Sequence, residues 1–176
     1  MASSAEEVAM LISWKRVAFS LTLALGICIL GLDIGHSSHH RGESGIEGWG
    51  KNSTYDKHYE PAERRNIRGV VLDFKTVTPL PGMSPGVAML IRDSENQVVT
   101  VHLGPRSFIH LNNIGIKKGD KVKVKGVWAE IDDKAVFIAA KVRANGIRVL
   151  KVRRTSDGTP YWTMSHEELA RERSLE

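Results

Sequence analysis

The sequence predicts a mainly β domain, a five-stranded barrel with one short helix between its third and fourth strands. A long apolar helix stands well upstream of it and a short helix follows it. Three observations carry that prediction. Apolar and polar residues alternate with a period of two in separate stretches between residues 67 and 143. Clusters of Gly, Pro, Asp and Asn divide those stretches. The clearest stretch, residues 118–128, reads as a tight turn at Gly119-Asp120 and then a strand, with Val122, Val124 and Trp128 on one face and Lys121, Lys123 and Lys125 on the other. Gly126 interrupts the apolar face, where a bulge lets a strand coil sharply.

Taken from the start, Lys15-Arg16 precedes an uncharged, mainly apolar run over residues 17–32, marked by Val17, Leu21, Leu25, Ile29 and Leu32. As a helix it would measure roughly 24 Å, slightly short of a hydrocarbon core of about 30 Å. Trp14 and the residues beyond Leu32 can extend it. A cleaved signal peptide competes with an uncleaved anchor, and the absence of an Ala-x-Ala site favours the anchor. The basic pair then stays in the cytoplasm and the rest of the chain lies outside the inner membrane, in the periplasm. The expected organisation is a cytoplasmic tip and transmembrane anchor (1–35), a flexible linker (36–65), the barrel (66–145) and a C-terminal hairpin with a short helix (146–176).

The linker assignment rests on Gly, Ser, His, Asn and charge without apolar periodicity. His36, His39 and His40 are the residue type that binds transition metals, but a flexible stretch lacks the rigid frame of a selective site, so no metal is expected. The single cysteine, Cys28, excludes an intrachain disulfide and a cysteine-pair attachment of haem.

The first strand spans about 67–78, with Val70, Leu72 and Phe74 alternating against Val71, Asp73 and Lys75. Pro79, Pro81, Gly82, Met83, Pro85 and Gly86 then make a loop, because prolines cannot donate to a ladder. Strands follow over 87–92 and 97–103, joined by a polar turn at 93–96. The third carries His102 on its less apolar side, ahead of Gly104-Pro105. Residues 106–112 read as the short helix, with Phe108, Ile109 and Leu111 on its apolar side. Asp132-Asp133-Lys134 turns the fourth strand into the fifth, 135–143. A further strand over 147–153 is open, and Tyr161-Trp162 can fold back onto the barrel. Ser165 and Glu168 form a capping box that starts the last helix.

Three strands, a short helix and two strands is the order of an OB-fold (oligonucleotide/oligosaccharide-binding fold). The chain resembles that family over 67–143, most of all in Gly119-Asp120-x-Val122-x-Val124-x-Gly126. With its upstream anchor the layout is similar to small membrane-anchored periplasmic OB-fold proteins, including the haem chaperone of cytochrome c maturation. That chaperone carries haem on a histidine of a His-Asp-Glu-Asn-Tyr type motif just after the barrel. Here the stretch reads Arg143-Ala144-Asn145-Gly146-Ile147, so its activity is not implied. The resemblance implies a binding module and no cofactor.

Charge narrows the partners. Residues 64–154 hold 18 Lys and Arg against 7 Asp and Glu, whereas the rest of the chain is acidic on balance. Such a field favours phospholipid head groups, nucleic acid or an acidic protein surface, and the competing reading is a solvated lysine-rich sheet face that discourages edge-to-edge pairing. No strand-elbow-helix nucleophile and no phosphate-cradling glycine loop stands in the sequence, so no enzyme activity is expected. The reading is a membrane-anchored accessory module that docks on a protein partner or an envelope complex, an electron-transfer complex among the options. Its contacts are expected in the loop 79–86, at His102, Arg106, Lys123, Lys125 and Trp128, and at Arg153, Arg154, Tyr161 and Trp162. Single-stranded nucleic acid is the first alternative; few aromatics on strands two and three and the expected export weigh against it. A haem or metal carrier is the second.

Overall fold

The computed structural model describes residues 45–174. Six strands form one sheet: β1 (Arg65–Val77), β2 (Gly86–Asp93), β3 (Val98–Pro105), β4 (Lys121–Ile131), β5 (Lys134–Ala144) and β6 (Arg148–Lys151). Their order is β3-β2-β1-β4-β5-β6, with every neighbouring pair antiparallel. β3 also meets β5 in parallel, through Val101 with Phe137 and His102 with Ile138. The one α-helix among the described residues is α1 (His166–Ser174).

These findings correct the expected five-stranded OB-fold barrel with a helix after its third strand. The strands number six, because Arg148–Lys151 pairs with β5 from Lys141 to Ala144. The expected helix over 106–112 is a pair of turns, in which Phe108 and Ile109 amides donate to the Pro105 carbonyl and Asn113 and Ile114 amides to that of His110. Asn112 and Asn113 are weak helix formers, and Gly115 turns left-handed at a φ of +66°. Two turns also give too few bonds to offset helix nucleation. The expected span at 17–32 lies outside the described residues. Among those described, no helix is long and apolar enough to cross a membrane.

The bulge at Gly126 is present as a register shift between Lys125 and Gly126. Only glycine fits there: a Cβ would stand 2.1 Å from the Ile138 carbonyl oxygen and 2.7 Å from the Phe137 ring. Before the bulge, Val122 and Val124 join an inner core with Val71, Met89, Ile91, Val101, Leu103 and Phe137. Beyond it, Val127 and Ile131 belong to a second core with Val136, Ile138 and Ala140. β5 is therefore buried on both sides, which explains why Val136–Ala140 is continuously apolar.

The cover over that second side comes from residues 45–63, the stretch that reads as linker. Two short 3-10 turns, Asp56–His58 and Pro61–Glu63, shape it. Trp49, Tyr55 and Tyr59 are buried against Val127, Val136 and Ile138. The Trp49 indole donates to the Ser84 carbonyl at 2.8 Å, and its ring lies where a Cβ on Gly86 would stand. Each such large side chain contributes about 1.5–3 kcal/mol on burial.

Candidate functional site

Two regions collect the polar residues that sequence reading singled out: a buried cluster beneath residues 45–63 and an open basic face on the other half of β4.

The buried cluster is built by the ends of the elements. β3 brings His102, 4 % exposed, under Tyr55, whose hydroxyl lies 3.2 Å from Nδ1 with the rings stacked at 6.1 Å. Burial, with Lys75 adding to it, holds the imidazole down to about 4, so it is neutral at pH 7. Burial also pushes the Tyr55 and Tyr59 phenols up, against the pull of Arg153. Arg153, 1 % exposed, follows β6 and reaches Asp56 at 2.5 Å and the Gly158 carbonyl at 3.0 Å. Its guanidinium carbon stands 4.9 Å from the Tyr59 ring centre and 5.5 Å from that of Trp162. Trp162 donates to the Trp49 carbonyl at 2.7 Å and packs across Gly104. These contacts clamp residues 45–63 onto the sheet. His102, Arg153 and Tyr161 are thus interior residues, and Met83 and Pro79 are buried with them.

Arg154 is spoken for as well. It holds Asp157 at 2.8 Å and Glu172 at 3.4 Å, which docks α1 beside β6. That hydrogen-bonded pairing holds the Asp157 carboxyl well below the usual range. Pro81, Gly82 and Pro85 are exposed, as is Arg106, which lines a groove of about 510 Å³ with Lys75 and His110. Trp128 is 45 % exposed while its edge packs on Phe137 at 5.3 Å. His36, His39 and His40 lie outside the described residues, and among those described no three His, Cys, Asp or Glu side chains gather as metal ligands.

The open face is made by the lysine side of β4. Register sets Lys123 between Arg68 of β1 and Arg143 of β5, and Lys125 between Asn66 and Lys141. Lys121 lies beside Val70, which in turn lies beside Arg92 of β2. A groove of about 690 Å³ runs along this face, floored by Gly69, Val70 and Val122 and walled by Arg68, Lys121, Lys123 and Arg143. Asp93 stands at its end, already accepting from the Glu95 and Gln97 amides. Sequence reading found Lys123 and Lys125 but missed Arg68 and Arg143. Their convergence depends on cross-strand register, which a single strand's pattern does not contain.

No curated protein and no solved structure matches the chain. The sheet just described, from the approach to β1 to the second residue of β6, is nevertheless similar to a known group: residues 63–149 match the model of the MamS/MamX magnetosome protein family.

Proposed function

We propose that this chain is a magnetosome-associated accessory protein, held at a membrane on its periplasmic side, which docks on a protein of a magnetosome complex and catalyses no reaction of its own. The observation that carries the reading is the family match, because it coincides with the sheet itself. The geometry supports docking through the rim. Trp128 offers nearly half of a large amphipathic ring to solvent, and Trp is enriched among the residues that anchor interfaces. The apolar run at 17–32 supports the membrane placement.

The test is a photo-crosslinking residue placed at position 128 of the full chain in magnetosome-forming cells. The expected result is one protein adduct, in stoichiometric yield and recovered with membranes. No adduct from position 128, nor from the exposed positions 81 and 106, would overturn the docking reading.

A further inference from the structure

We propose that the outer face of β1, β4 and β5 is a binding surface for anionic lipid head groups. The proposal deepens the membrane placement above, but it stands on the arrangement of charge within the sheet.

Neighbouring strands lie about 4.8 Å apart, and side chains two residues apart on one strand about 7 Å. Arg68, Lys123 and Arg143 therefore form a row of like charges directly across three strands. Like charges in that relation destabilise a sheet. Elsewhere some cations are paired: Lys118 with Asp73, Lys134 with Asp132, Arg153 with Asp56, Arg154 with Asp157 and Glu172. Among the described residues, none of Arg68, Lys121, Lys123, Lys125 and Arg143 has an ion pair. Edge protection, the ordinary reason for lysines on a strand, does not account for them. β4 has β1 on one side and β5 on the other, so its lysines guard no open edge. Water and mobile ions screen these outward cations only in part, and a fixed anionic surface would compensate them further.

The character of the face selects the anion. Among the described residues, no aromatic ring lies along the basic groove, and stacking platforms are what single-stranded nucleic acid needs. The β4 cations are lysines, compact and flexible point charges that suit a diffuse anionic surface better than bidentate recognition of one carboxylate. Exposed apolar side chains accompany them. Val70 is 38 % exposed within the face, and Ile147, on the β5–β6 turn at its end, is 86 % exposed. Basic residues mixed with protruding apolar ones are the composition that seats a protein in the head-group layer.

The experiment uses the full chain in lipid nanodiscs, either of phosphatidylcholine alone or with a third of it replaced by phosphatidylglycerol. Lysine acetylation rates are read by mass spectrometry. The expected result is that Lys123 and Lys125 react about threefold or more slowly in the anionic discs, with Lys57 and Lys134 unchanged. That protection should vanish when salt rises from about 50 mM to about 500 mM. Lys123→Glu should abolish the protection of Lys125 without lowering the melting temperature, since it relieves the repulsion. Equal rates in the two discs would overturn the proposal. So would slow rates in both, which would mean a protein cover, or protection that appears only on adding an acidic polypeptide or nucleic acid. Because docking is read at Trp128 and lipid contact at the lysines, either reading can fail alone.

Discussion

His102 shows what one residue's surroundings do to its chemistry. From the strand pattern it sits on the less apolar side of β3, where a binding residue is expected. In the folded chain that side is closed by Tyr55, and the imidazole is kept neutral. Its folded value of about 4 lies below the ordinary 6.5, so between those values the unfolded chain binds the extra proton. Stability conferred by neutral burial is thus complete above about pH 6.5 and declines as pH falls towards 4, by on the order of 3 kcal/mol. Urea midpoints measured from pH 8 to pH 4 should show that decline, and His102→Gln should flatten it. An unchanged slope in the variant would mean that other groups carry the acid sensitivity.

The element that most alters the picture is the strap of residues 45–63. It has no regular periodicity because it is neither a long helix nor a strand; three aromatic side chains and one ion pair hold it. Trp49→Ala removes a fully buried ring and should cost about 3–5 kcal/mol. Arg153→Met leaves Asp56 without its partner and should cost about 3 kcal/mol or more. Both losses are measurable by chemical denaturation. If either variant unfolds like the parent, the strap is not part of the cooperative unit. At the other end, α1 behaves as its residues imply. Glu168 donates its amide to the Ser165 hydroxyl at 3.2 Å, and its carboxylate accepts from the Ser165 amide at 2.8 Å. That backbone bond, with the Ser165 hydroxyl adding to it, holds the Glu168 carboxyl down.

Among the described residues, one stretch of sheet is covered by aromatics and another is left open with a field of cations. The open half opposes its own fold. Raising salt from about 20 mM to about 500 mM shortens the screening length from about 20 Å to about 4 Å and should stabilise the chain by about 1 kcal/mol. Calorimetric melting temperatures should therefore climb by several degrees, and less so in Lys123→Glu. A melting temperature that falls with salt would show that attractions outweigh the repulsion.

Alternation of side chains along each strand is a local property. The positions of β1 to β5, the turn at Gly119-Asp120, the bulge at Gly126 and the cap of α1 were therefore legible in the sequence. So was the lysine face of β4, though not its partners. What only the tertiary structure decided is nonlocal: Arg68 and Arg143 flank Lys123 because of register between strands far apart in the chain. Trp49 and Tyr55 close the second side of β5 because that face, once formed, offers apolar area to any aromatic that can reach it. The missing helix after β3 is partly of this kind, beside the local limits set by Gly115 and a short run. Phe108 and Ile109 reach the inner core from two simple turns, and packing there outweighs a helical preference too weak to act alone.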